Sequence, residues 1–276
     1  MRLISVNKIR DKVADLCIQA NTVLRRDVLA QLQTVFTKEK NKRAKEILAA
    51  IIKNARIARR EKLAICQDTG LPCVFVEIGQ DVKVVGDLKS AINRGVELGY
   101  KKASLRNSVI ADPLFRGSPR YSPVIMHFDL VKGNKIKMTV LPKGFGCENK
   151  TRLKMFKPTA KIDEIREFIV DAVKAAGPDA CPPYIVGVGI GGTADYACLL
   201  AKKTLLRKLK AKSAKRKTLE SEILNKINQL NIGPMGLGGR TTALAVNIAT
   251  YPTHIAGLPV AVNISCHALR SASATF

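Results

Sequence analysis

Cys66-Gln67-Asp68-Thr69-Gly70-Leu71-Pro72, followed by Cys73-Val74-Phe75-Val76-Glu77-Ile78, is where the chain changes character. Polar residues, then glycine, then proline make turn chemistry. The apolar, β-branched and aromatic run that follows makes a strand. Upstream, everything reads as helix: Ile9, Val13, Leu16 and Cys17 recur at helical spacing, as do apolar positions across 28–36 and 44–57. Downstream, strand and helix patterns mix. The reading is a mixed α/β (α+β) fold, with a helical N-terminal lobe over 1–63 and a mixed-sheet portion with flanking helices over 64–276. We take 1–276 as a single domain.

Working outward from Cys66, residues 87–98 read as a helix with Asp87 as N-cap. Apolar runs at 124–131 and 136–141 flank Gly133-Asn134 and predict a β-hairpin. Pro142-Lys143-Gly144-Phe145-Gly146-Cys147-Glu148-Asn149-Lys150 is a glycine-containing loop. An amphipathic helix is predicted over 162–176, closed by Gly177-Pro178. A buried strand over 184–190 runs into Gly191-Gly192. Helices over 193–209 and 219–230, a loop over 233–239, and strands over 244–250 and 260–266 complete the chain.

The 276 residues carry a formal charge of +25, which bears on partners and solubility rather than on fold. The start has no apolar leader, and no apolar run reaches membrane-spanning length, so a cytoplasmic protein outside the membrane is expected. Seven cysteines, an odd number with no Cys-x-x-Cys pair, argue against a disulfide scaffold and against a zinc ribbon.

Two patterns point elsewhere. Gly187-Val188-Gly189-Ile190-Gly191-Gly192 satisfies the dinucleotide-binding pattern, but the acidic residue expected downstream is replaced by Lys208, Lys210 and Lys212. Glycines for tight turns and close helix packing are the simpler reading. Nine Lys and Arg between Lys202 and Lys217, with no acid among them, would suit a basic nucleic-acid-binding protein. No aromatic residues interleave them to stack bases, so nucleic acid is not the favoured partner.

Cys66, Cys181 and Cys266 each fall at a break between elements, where a thiol can face a cleft, whereas Cys17 and Cys198 fall within helices. Thiolates from separate loops can hold an iron–sulfur cluster, and buried inert thiols are the alternative. Asp68 is either an acid/base group or the former of an Asx turn. Arg106 is either a carboxylate donor or a surface ion-pair residue. His127 alternates with apolar residues and reads as structural. His267, beside Cys266, could support a thiol ligand. His254, between the last two strands, is the histidine most suited to function.

Four ordered segments resemble the class I, iron–sulfur-dependent fumarate hydratases and the related L-tartrate dehydratases. They are Cys66-Gln67-Asp68-Thr69-Gly70; the 142–150 loop; Ala180-Cys181-Pro182-Pro183-Tyr184 with Gly191-Gly192-Thr193; and Asn263-Ile264-Ser265-Cys266. The resemblance implies that Cys66, Cys181 and Cys266 are ligands of a [4Fe–4S] cluster. It makes Asp68 and His254 catalytic, and Gln67, Arg106 and Gly146 substrate-binding. Cys147, where some relatives carry serine, is not counted as a ligand. Phe145 stands where the family loop has a glycine. The implied activity is reversible hydration of fumarate to (S)-malate, with L-tartrate dehydration as the alternative. Single-chain members continue into a second domain, whereas this chain ends ten residues after Cys266. It therefore resembles an alpha subunit that needs a beta subunit, with a homodimer of alpha chains inside a larger heteromer.

Overall fold

A computed structural model describes residues 1–209 and 214–276. In chain order the elements are β1 (Arg2–Ser5), α1 (Val6–Thr22), α2 (Arg26–Lys38), α3 (Lys42–Glu61), β2 (Leu71–Gly79), β3 (Val82–Val85), α4 (Leu88–Lys102), β4 (Ile125–Val131) and β5 (Ile136–Lys143). The short α5 (Phe145–Glu148) is followed by β6 (Arg152–Phe156), α6 (Ile162–Ala176), β7 (Tyr184–Gly191), α7 (Ala194–Thr204), α8 (Ala214–Gln229), β8 (Ala243–Tyr251), β9 (Leu258–Ser265) and β10 (Ala272–Thr275). This is the α+β class predicted from the sequence, with a helical N-terminal region. Among the described residues no helix is long and apolar enough to cross a membrane.

The chain divides into two compact units, each assembled from separated stretches. The first holds residues 1–25, 54–145 and 270–276. Its four-stranded sheet has the order β10-β5-β2-β4. Val74 and Val76 of β2 and Met138 and Val140 of β5 pack with Ile9, Val13 and Leu16 of α1 and Ile92 and Val96 of α4. Asp87 caps α4 as predicted, its Oδ1 accepting from Ser90 N at 3.1 Å. β1, which the sequence reading absorbed into a helix, pairs in parallel with β3.

The predicted hairpin over 124–141 does not form. β4 pairs in parallel with β2, and β5 pairs antiparallel with the other edge of β2, so β2 lies between them. The connecting residues 132–135 cross the end of β2 at Gly79, whose N–H donates to Lys135 O at 2.8 Å. A Cβ at Gly79 would stand 2.3 Å from Gly133 O, so only glycine lets the crossing pass this close. A hairpin turn joins strands about 4.8 Å apart. This four-residue link spans twice that.

The second unit holds residues 26–53 and 146–269, with a sheet of order β6-β9-β7-β8. Both faces of the sheet are covered, which is why β7 reads as a continuous buried run. Val186 and Val188 pack with Ile169 and Val173 of α6 and Ile223 and Ile227 of α8. The alternate residues, Gly187 and Gly189, face α7, as the two-residue period of a strand requires. A Cβ there would lie 2.2 Å from Ala201 O and 2.1 Å from Ala197 O. The glycine pattern therefore serves close packing of helix on strand. Gly189→Ala is expected to destabilise the protein by roughly 1–3 kcal/mol, because the obstacle is helix backbone. Denaturant unfolding would measure it, and an unchanged midpoint would refute the packing account.

α7 ends at Thr204 rather than at 209. Beyond it, Arg207 Nη1 donates to Ile248 O at 2.8 Å and Leu209 N donates to Asp27 Oδ2 at 3.1 Å, and these bonds take the chain off the helical path. In the basic run, Lys202 pairs with Glu148 at 2.5 Å and Arg207 with Glu220 at 3.2 Å, so these two cations serve the fold. Lys210 and Lys212 lie outside the described residues.

Candidate active site

In the first unit, three chain segments meet at one end of the sheet. The Cys66–Gly70 turn leads directly into β2, and Leu71 is in register with Lys143 at the end of β5. Antiparallel pairing of β10 with β5 sets Ala272 opposite Val140, which brings Arg270 to the same end. Asp68 stands where these segments meet. Its Oδ1 accepts from Gly70 N at 2.9 Å, which is the Asx turn weighed from sequence. Its Oδ2 accepts from Phe145 N at 2.9 Å. Each carboxylate oxygen keeps a second lone pair beside the bond it accepts.

Thr69 ties the turn to Arg106: its Oγ1 accepts from Arg106 N at 3.1 Å. The buried Tyr100 hydroxyl donates to Thr69 O at 2.8 Å. Burial pushes the Tyr100 hydroxyl well above its ordinary pKa, so it stays a proton donor. Arg270 is 4% exposed, and its Nη2 donates to Asp68 O. Gln67 and Arg106 are exposed, Asp68 and Cys66 half-buried, and Cys66 Sγ lies 3.2 Å from Gln67 Oε1. The structure thus gathers Cys66, Gln67, Asp68 and Arg106 in one loop cluster.

Cys181 and Cys266 belong to the second unit. Cys181 lies ahead of β7 and Cys266 follows β9. Antiparallel pairing with Ile185 opposite Ser265 puts both at one end of that sheet. Cys181 has a φ of 58°, in the left-handed region that costs a non-glycine residue about 1–2 kcal/mol. Its carbonyl is held by His267, through N at 3.4 Å and Nδ1 at 3.0 Å. A carbonyl only accepts, so Nδ1 carries the hydrogen. His267 thus holds the main chain of Cys181.

His254 lies in the exposed link between β8 and β9, at the other end of this sheet. The eight residues of β9, roughly 25 Å, separate it from Cys266. Its Nδ1 accepts from Ala256 N at 3.2 Å, which leaves Nε2 as the donor of the neutral ring. Gly146 is exposed, and a Cβ there would meet nothing within 4 Å, so the space beside it is open to a ligand. Cys147 is buried, its Sγ 3.4 Å from Ala180 O. Arg270 and Tyr100 were not found from sequence. Neither carries a local signal, because burial of a polar side chain is a product of long-range packing.

Among the described residues, no group of three or more His, Cys, Asp and Glu is arranged to hold a metal ion. The chemistry of the donors nevertheless fits an iron–sulfur cluster. Cys66, Cys181 and Cys266 are half-buried loop thiols outside any disulfide, and cluster ligands bond separate irons rather than converging on one ion. Burial pushes the helix thiols of Cys17 and Cys198 above their ordinary pKa, away from the thiolate that ligation requires.

In the first unit the loop cluster thus holds a fixed carboxylate, an exposed arginine and a half-buried thiol. Comparison with known proteins gives the chain's family. The family model described as Fumarate hydratase (Fumerase) matches residues 10–275. A protein of Methanocaldococcus jannaschii provisionally named L(+)-tartrate dehydratase subunit alpha is 41% identical over 275 residues, covering 96% of each chain. L(+)-tartrate dehydratase subunit alpha proteins of Escherichia coli strain K12 and Shigella sonnei are 29% identical over 272 residues, covering 96% of this chain and 90% of theirs. The chain belongs to the fumarate hydratase (Fumerase) family and is a hydro-lyase component, as its four motifs implied.

Proposed function

We propose that this chain is the alpha subunit of a cytoplasmic iron–sulfur hydro-lyase that interconverts fumarate and (S)-malate, and that it requires a beta subunit. The observation that carries the reading is the Asp68 carboxylate, fixed by two main-chain N–H groups two residues beyond Cys66, in the loop tied to Arg106. Alpha-subunit names on relatives matched nearly end to end support the need for a partner. A homodimer of alpha chains within the heteromer is part of the same proposal.

The substrate is a dianion, so its carboxylates need cationic and N–H donors. Arg106 supplies a guanidinium fork, Gln67 an amide, and Gly146 an approachable main chain. Dehydration of malate removes a proton from the carbon next to one carboxylate and hydroxide from the adjacent carbon, and together these make water. Asp68 carries one of these protons, held in place so that no reorganisation is needed at the moment of transfer. Cys66, Cys181 and Cys266 would hold the [4Fe–4S] cluster, whose iron without a protein ligand supplies Lewis acidity toward the departing hydroxyl. His254 enters as an Nε2–H donor at the far end of β9, so the proton transfer is assigned to Asp68.

The relatives' names favour a second reading, L(+)-tartrate as substrate, dehydrated to oxaloacetate. The two differ by one hydroxyl on the substrate. Alpha and beta chains, separate and combined, would be loaded with iron and sulfide without oxygen and assayed on both compounds. Turnover only by the combination, with fumarate preferred, is the expected result. Preference for L(+)-tartrate would transfer the assignment to the second reading, and turnover of neither would overturn both.

A further inference from the structure

Arg270 is a buried charge of the first unit with an incomplete set of partners. It is 4% exposed, and its Nε and Nη1 have no hydrogen-bond partner among the described residues. Its Nη2 donates to a neutral acceptor, the carbonyl of Asp68. A buried cation is stabilised by a counter-ion or a full set of acceptors; with neither, it costs more than an apolar side chain of the same size. Nearly all buried polar groups in folded proteins are satisfied, so one whose set is incomplete calls for a reason.

The reason lies in what Nη2 holds. Asp68 is fixed at three points: Oδ1 by Gly70 N, Oδ2 by Phe145 N, and the main chain by Arg270. Beside it, Tyr100 holds the carbonyl of Thr69 and Thr69 holds Arg106. The two N–H bonds orient the carboxylate and do not reach the carbonyl of its own residue. Arg270, two residues ahead of β10, holds that carbonyl with a rigid planar donor.

We propose that Arg270 is a positioning residue for Asp68: it fixes the peptide that presents the carboxylate, and the fold retains it at a cost in stability. The inference rests on the reading that Asp68 carries the reacting proton. It makes an unusual demand, since removing Arg270 must impair turnover without weakening the fold.

Arg270→Met, Arg270→Lys and Asp68→Asn would be compared in the cluster-loaded alpha–beta enzyme by kcat, KM, Tm and visible absorption. Arg270→Met is expected to keep the cluster absorption and a Tm at or above that of the parent. Its kcat should fall on the order of 10- to 100-fold, the worth of one hydrogen bond from a charged donor. KM should stay within about twofold, because the change falls on the chemical step. Arg270→Lys, a point donor without the planar fork, should recover only part of kcat. An unchanged kcat in Arg270→Met would overturn the inference. So would a lowered Tm or failure to fold, since Arg270 would then be a support of the fold. If Asp68→Asn is inactive while Arg270→Met turns over normally, the Arg270 inference alone fails. If Asp68→Asn is itself active, the reading of Asp68 fails.

Discussion

Replacing Cys66, Cys181 or Cys266 by serine, one at a time, is expected to abolish stable uptake of iron and sulfide and to bring hydration of fumarate down to background. A cluster ligand is a thiolate, and a serine hydroxyl at neutral pH is neither ionised nor soft enough to replace it. A site built on three thiols has no spare donor, so each substitution should act alone. Cys198→Ala is the control. Its thiol lies on α7, pushed up in pKa by burial, and its loss should leave uptake unchanged. Iron and sulfide content with visible absorption, measured without oxygen, decides the matter. Full cluster content in any of the three serine variants would remove that cysteine from the ligand set. Full content in all three would end the cluster reading while leaving the family membership intact.

Local signals carried much of the fold. α6 runs over Ile162–Ala176 as read, because Gly177 stops it and its apolar positions repeat at helical spacing. α4 starts at the Asp87 cap for the same kind of reason. Pairings between distant segments were not legible. The runs at 124–131 and 136–141 look like a hairpin because nothing in either reports that β2 will insert between them. β10, Ala272-Ser273-Ala274-Thr275, has almost none of the residues that favour strands and is a strand through its bonds to β5. The first 25 residues read as helix, yet β1 precedes α1, and its four residues are held by β3, some eighty positions away.

The candidate site divides along the same line. Cys66, Gln67 and Asp68 are adjacent in sequence, so their shared loop was visible as a motif. The glycines of Gly187–Gly192 also formed a motif, and there the pattern was ambiguous: close packing and phosphate binding both require a missing Cβ. Only the contacts with Ala197 and Ala201 decide between them. Arg270 and Tyr100 act on Asp68 and Thr69 from 202 and 31 positions away, and as single residues they resemble any other arginine or tyrosine.

Asp68→Asn is expected to lower kcat by 10²- to 10⁴-fold, the range that a positioned acid or base contributes. Asparagine has nearly the same shape, and its carbonyl oxygen can still accept from Gly70 N. What it cannot do is accept or return a proton at the reacting carbon or hydroxyl. The change also has a local cost. With its oxygen turned to Gly70 N, its NH₂ group would face Phe145 N–H, donor against donor, where a carboxylate oxygen stood 2.9 Å away. That mismatch should lower stability by roughly 1–3 kcal/mol, enough to register as a lower Tm without unfolding the protein. Asp68→Ala separates the two effects: it removes both the proton carrier and the opposed donor. Its kcat should therefore match that of Asp68→Asn, whatever the difference in Tm. Both variants should retain the cluster absorption, since Cys66, Cys181 and Cys266 are untouched. Turnover in either within about threefold of the parent would show that the carboxylate only shapes the turn, and the proton transfer would have to be assigned to another group.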